Sequence, residues 1–190
     1  MKERILSKEV VFDDFFKLEK WYYQYEKDNG ELTGPVDRMV FKRQDSSAVI
    51  LFNTDTEKVI FTRQFRHCTL EKGPGWMIEI VAGRLDEGES PEEALHRETV
   101  EETGYKIHTV EKVGMVYASP GCSEERMFIY YGEVKDADKV ADGGGLEEEG
   151  EYIEVVETTL HELNEMVANG KLIDAKSVIA AHYLLKKHGY

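Results

Sequence analysis

Apolar and polar positions alternate in short bursts over the first third of the chain. The aromatic-rich stretch Phe16 to Tyr25 shows partial period-two alternation, and Asp28-Asn29-Gly30 supplies a turn before the next strand. The first forty residues therefore read as β-structure. Asp37 to Lys42, Ala48 to Phe52 and Lys58 to Phe65 are further strands, the last two separated by polar Asn53-Thr54-Asp55. Met77 to Ala82 predicts a short apolar strand ending at Gly83. Val113 to Ala118 and Met127 to Val134 continue the sheet, and Tyr152 to Val156 adds an edge.

Three segments switch to helical spacing. The first begins at a capping box, with Ser90 as N-cap, Pro91 at N1 and Glu93 at N3, and Gly104 sits where a helix stops. The second opens with Thr159 and Glu162 in the same relation, carries Leu160, Leu163, Met166 and Val167 on one face, and stops at Gly170. The third covers roughly Ala175 to Lys187, with Val178, Ile179, Leu184 and Leu185 apolar. Gly143-Gly144-Gly145, followed by Glu147, Glu148, Glu149 and Glu151, reads as a mobile loop.

Composition narrows the function classes. The 190 residues suffice for one ordinary domain with a real core. A formal charge of −14 argues against a protein that coats nucleic acid, because phosphate binding needs a positive field. A small anionic substrate stays open, since cations held by carboxylates reverse the local sign. Two cysteines, Cys68 and Cys122, are too few for a disulfide framework. With no apolar leader after Met1 and no run long enough to span a bilayer, the expectation is a cytoplasmic protein without membrane contact.

The chemistry concentrates on the first helix. Glu98, Glu101 and Glu102 are three and four residues apart, so their carboxylates share one face within a single turn. They repel one another and lie in the wrong half of the helix for its dipole. Such a cluster is either a solvated acidic face or a site for a hard cation such as Mg²⁺, Mn²⁺ or Ca²⁺.

The wider pattern decides between them. Gly83, five residues, Glu89, seven residues, then Arg97-Glu98-x-x-Glu101-Glu102-x-Gly104 resembles the Nudix box of the hydrolase superfamily. Thr99 and Tyr105 depart from the usual aliphatic preference at variable positions. Ala118-Ser119-Pro120-Gly121, Arg63-Gln64-Phe65-Arg66, Glu79-Ile80-Val81-Ala82-Gly83 and Ile173-Asp174-Ala175-Lys176-Ser177 look like the branch that cleaves ADP-ribose, GDP-mannose and other nucleotide sugars.

The resemblance implies an α/β fold, a Nudix-type α/β/α sandwich with a mixed sheet. It divides the chain into residues 1–45, an N-terminal antiparallel β-segment used in dimerisation, and 46–190, the hydrolase domain. It implies Mg²⁺, with Mn²⁺ as a substitute, held by Glu98, Glu102, the Ala82 carbonyl and Glu151. Glu101 would sit beside the metal, Arg97 would brace the carboxylates, and Glu149 would be the general base, with Glu147 and Glu148 as alternatives. Gly143 to Gly145 would be the hinge of that loop.

Arg38, Arg66 and Lys176 are candidates for phosphate contact, Ser119 and Glu125 for the terminal sugar, and Phe15 for stacking on the base. Each also has a plain structural role open to it: surface charge, a turn cap at Ser119 or core packing at Phe15. The implied reaction is hydrolysis of a nucleoside diphosphate sugar to a nucleoside monophosphate and a sugar phosphate. ADP-ribose stands first, then GDP-mannose and UDP-sugars. The alternative of a different class is a non-catalytic ADP-ribose sensor.

Overall fold

The computed structural model describes residues 2–146, 148 and 150–190. Two compact units emerge: residues 1–44 with 117–126, and residues 45–116 with 127–190.

The first unit is a three-stranded antiparallel sheet in the order β1 (Glu3–Asp13), β2 (Lys17–Tyr25), β3 (Val36–Lys42). Every residue of β1 is exposed, Ile5, Leu6, Val10, Val11 and Phe12 among them. Segment 117–126 joins this unit through the Phe41 N–H, which donates to the Cys122 carbonyl at 2.7 Å, and through a Lys42–Glu124 ion pair.

The second unit is built on a seven-stranded sheet. Its spine is β10 (Ile153–Thr159), β5 (Lys58–Phe65), β4 (Ser46–Asn53), β9 (Arg126–Val134) and β8 (Val110–Tyr117), with β6 (Trp76–Glu79) on β5 and β7 (Val81–Arg84) on β4. The β4–β9 pair is parallel and the β4–β5 pair antiparallel, so the sheet is mixed.

All eight residues of β4 are buried, because both faces are covered. Ala48, Ile50 and Phe52 pack with α2 (Leu160–Ala168) and α3 (Ala175–Lys187) through Leu163, Ala180, Ala181 and Leu184. Val49 and Leu51 point the other way, toward Leu95 of α1 (Pro91–Thr103), Tyr105 and Ile107. The side-chain period of two thus produces a three-layer α/β/α sandwich from one apolar strand.

The helix signals operate as their chemistry predicts. Both capping boxes form, at Ser90/Glu93 and Thr159/Glu162, and Asp174 caps α3. Gly104 closes α1 at φ 77°, a conformation that suits glycine. One expectation needs correction. Met77 to Ala82 is not one strand: Trp76–Glu79 pairs with β5 and Val81–Arg84 with β4. The chain changes partner at Ile80, whose N–H leaves the ladder and donates to Ser177 Oγ at 2.9 Å.

Candidate active site

Helix α1 lies over β7 through an unusually close approach. A Cβ placed on Gly83 would fall 1.8 Å from Glu98 Cδ and Oε1, so only glycine leaves room for this carboxylate. Glu98 is therefore held against the strand that carries Ala82 and Gly83, which pair with Ala48 and Ser47 of β4.

Arg97 gathers the acidic groups. Its Nε and Nη2 donate to the two carboxylate oxygens of Glu89 at 3.1 and 3.0 Å, and Nη1 reaches Glu98 at 2.7 Å and Glu101 at 3.2 Å. Nη2 also donates to the Arg84 carbonyl at 3.1 Å. The expected brace is present, and it includes Glu89, a motif position to which sequence reasoning attached no role.

Glu102 differs from its neighbours. It is 4% exposed, and Oε2 makes no hydrogen bond to any described residue. Burial, and then the charges of Glu98 and Glu151, push its carboxyl well above the usual range, against the pull of Lys176 and Arg66. Burial likewise raises Glu98 despite its bond to Arg97. A buried carboxylate oxygen without a donor costs free energy unless a proton or a cation meets it.

Among the described residues, no three His, Cys, Asp or Glu side chains already converge as a closed metal cage. The donor set is all oxygen and anionic, with one oxygen unclaimed, and it fits a hard divalent cation that keeps part of its water shell.

Glu151 enters from the segment before β10, where its Oε1 accepts from Gln64 Nε2 at 3.4 Å. Two of the three consecutive glycines expected to act as a hinge are hydrogen-bonded to the end of α1 in this conformation. Gly144 N donates to the Glu102 carbonyl and Gly145 N to the Glu101 carbonyl, both at 3.0 Å. Gly143, at φ 76°, sits so close that an added Cβ would meet Glu102 O at 2.7 Å. The glycines thus occupy the orphan carbonyls at the end of α1. Glu149, the expected base, and Glu147 lie outside the described residues; Glu148 is described and exposed.

Arg66 and Lys176 meet at Glu79. Glu79 is 5% exposed, takes a two-pronged contact from Arg66 at 2.8 and 3.0 Å, and receives Lys176 Nζ at 2.5 Å. These partners overcome burial and lower its carboxyl to about 2. Lys176 is itself buried and also pairs with Asp174 at 3.1 Å. Sequence reasoning gave Glu79 no role. The available signal was a lone acid in the apolar run Trp76 to Ala82.

The remaining candidates belong to the first unit. Arg38 lies on β3 opposite Trp21 and donates to the Asp37 carbonyl at 2.8 Å. Phe15 is 74% exposed and contacts Phe16 edge-to-face at 4.7 Å. Ser119 accepts from Cys122 N and Ser123 N through its carbonyl, so it does anchor a turn. Glu125 lies 3.7 Å from Arg43.

Comparison with known proteins matches residues 42–181 to the family described as "NUDIX domain". The chain belongs to the NUDIX family. That span contains the Gly83–Gly104 motif, every α1 carboxylate and the Glu79 cluster. NUDIX hydrolases generally use divalent metal ions, in keeping with the donor set.

Among its NUDIX relatives is the GDP-mannose pyrophosphatase of Cronobacter sakazakii (strain ATCC BAA-894), 37% identical over 186 residues, 97% of this chain and 93% of that protein. The GDP-mannose pyrophosphatase of Salmonella typhimurium is 35% identical over 190 residues, 99% and 95% respectively. A solved structure described as "Crystal structure of ADP compounds hydrolase" superposes with a TM-score of 0.74 at 21% identity. It covers 100% of this chain and 97% of that one, a likeness that speaks to the fold.

Proposed function

We propose that this NUDIX hydrolase cleaves the pyrophosphate bond of a nucleoside diphosphate sugar, releasing a nucleoside monophosphate and a sugar phosphate. The observation that carries the reading is the buried Oε2 of Glu102, which has no donor among the described residues, within an arginine-braced carboxylate cluster. The names of the near-full-length relatives favour GDP-mannose as first substrate and put ADP-ribose, the first choice from sequence, second. UDP-sugars follow.

Glu98, Glu102, Glu151 and the Ala82 carbonyl would hold Mg²⁺ or Mn²⁺. Bound there, a divalent cation neutralises phosphate charge and makes water a better nucleophile. The chain's own groups supply the rest. Arg66 offers a phosphate its unpaired edge, and Lys176 adds positive field from a buried position. Arg97 keeps Glu98 and Glu101 in register, and Glu149 takes the proton from the attacking water. Arg38, Ser119, Glu125 and Phe15 would recognise the nucleotide and sugar.

Residues 1–45 would serve as the dimerising segment and 46–190 as the hydrolase domain, the exposed apolar side chains of β1 supporting a homodimer. No helix among the described residues is long and apolar enough to cross a membrane, which accords with a cytoplasmic enzyme. The intact carboxylate set speaks against the sensor alternative.

The test is phosphate release coupled to alkaline phosphatase, run with GDP-mannose, ADP-ribose, UDP-glucose and ATP in Mg²⁺. Preference for one nucleotide sugar supports the reading and names the substrate. No turnover on any of them, with tight ADP-ribose binding by calorimetry, would establish the sensor instead.

A further inference from the structure

Glu79 sits where three parts of the second unit meet. It ends β6, opposite Thr62 of β5, whose hydroxyl donates to the Glu79 carbonyl at 3.2 Å. One residue later, Ile80 N is bonded to Ser177 of α3. The carboxylate therefore hangs from backbone fixed on two sides, and it is almost wholly buried. A buried carboxylate in this setting is a rigid acceptor rather than a mobile one.

Its partners use it differently. Lys176 is enclosed, with only 8% of its side chain exposed, and its ammonium is shared between Glu79 and Asp174. Arg66 keeps 42% of its side chain exposed and commits one edge, Nε and Nη2, to the two oxygens of Glu79. Its Nη1 has no hydrogen-bond acceptor among the described residues. Burial works against its charge, while Glu79 first and then the charges of Glu102 and Glu151 favour it. A planar guanidinium gripped along one edge cannot rotate, so its other edge keeps a constant direction.

We infer that Glu79 is a positioning residue for phosphate recognition: it grips one edge of Arg66 so that Nη1 is presented to a pyrophosphate oxygen of the substrate beside the carboxylate cluster. The inference rests on the pyrophosphatase reading and deepens the same site. Glu79 does not touch the substrate; it acts through Arg66. Binding therefore depends on Glu79 only while the Arg66 guanidinium is present.

A double-mutant cycle tests this dependence. Wild type, Glu79→Gln, Arg66→Ala and the double variant are compared for inorganic pyrophosphate binding by calorimetry with Mg²⁺, and for KM and kcat on the preferred nucleotide sugar. With Arg66 in place, Glu79→Gln is expected to weaken pyrophosphate binding and raise KM by about tenfold, with kcat changed far less. In the Arg66→Ala background the same substitution should change both by less than about threefold.

Should Glu79→Gln fold poorly, Glu79→Asp keeps the charge but withdraws it from Arg66 and should show the same coupling to Arg66. Equal losses in both backgrounds would make Glu79 merely structural and overturn the inference. So would unchanged binding in Glu79→Gln, or no pyrophosphate binding by the wild type. Absence of nucleotide-sugar turnover by the wild type would instead count against the pyrophosphatase reading, while the calorimetric cycle still decides the role of Glu79.

Discussion

The N–H of Gly144 donates to the carbonyl oxygen of Glu102 at 3.0 Å, so the residue with the unclaimed carboxylate oxygen is tied by its backbone to the glycine-rich segment. Gly145 makes the same bond to Glu101. The segment that leads to Glu151 is thereby referenced to the end of the carboxylate helix. Gly143→Ala places a Cβ 2.6 Å from the Thr103 carbonyl carbon and should push the segment away. Among the described residues, none beyond its chain neighbours lies within 4 Å of a Cβ added at Gly150, whose φ of 70° is similar, so Gly150→Ala introduces comparable backbone strain without the clash. We expect kcat to fall at least about tenfold in the first variant and by much less in the second. Equal losses would assign the effect to strain alone.

Gly83→Ala tests the contact between strand and helix. With Glu98 atoms 1.8 Å from the added carbon, the carboxylate must leave its place. Metal affinity and turnover should both collapse, and Mn²⁺ binding followed by electron paramagnetic resonance would show the first directly. Wild-type Mn²⁺ affinity in this variant would contradict the assignment of Glu98.

Glu102→Gln should remove most activity and weaken Mg²⁺ binding with the fold intact. The sign of the pH effect follows from the raised folded-state value. The folded protein holds the Glu102 proton more tightly than the unfolded chain does. The Glu102 contribution to metal-free stability is therefore greatest at low pH and is lost as pH rises from the ordinary carboxylate range through the raised value. Glu102→Gln should abolish this component, a change that thermal melts in chelator can follow. Cations compete with the same proton, so metal affinity should increase with pH over that window.

Glu79 has the opposite sign. Its carboxyl is lowered from 4.5 to about 2. The associated stability is fully present above the ordinary value and disappears as pH falls from there toward the lowered one. Glu79→Gln leaves Arg66 and Lys176 without their shared counter-charge. It should cost roughly 3–5 kcal/mol at neutral pH and flatten the acid limb of the stability curve. Chemical denaturation at two pH values on either side of the window would measure both.

Glu149→Gln should lower kcat by about 10²–10⁴-fold if that residue is the general base. Glu151→Gln should chiefly weaken metal binding. If Glu151→Gln shows the kcat loss with metal affinity preserved, the two roles are exchanged.

Much of this molecule is legible locally. The bounds of β5 agree with the apolar spacing residue for residue, α3 lies in the approximate range expected, and the boxes at Ser90 and Thr159 form as written, because caps and periodicity depend on neighbours within a turn or two. The carboxylates of α1 share a face for the same reason, and the i,i+4 pair of Arg97 with Glu101 was readable from spacing, whereas the wider bracing role came from the family resemblance. The split at Ile80 was not, since it depends on Ser177, a residue 97 positions away in the chain.

Glu79 tells the same story: Arg66, Glu79 and Lys176 look unrelated along the sequence and become one ion cluster only when β5, β6 and α3 are packed together. Three consecutive glycines suggested freedom, yet Gly144 and Gly145 bond to the carbonyls of Glu102 and Glu101, and Gly143 packs where a Cβ would meet Glu102. Sequence determined the elements, the caps and the acidic face through short-range sterics and hydrogen bonding. Tertiary structure alone decided which distant charges neutralise one another and which carboxylate oxygen is left without a partner, because burial and long-range contact exist only after the layers close.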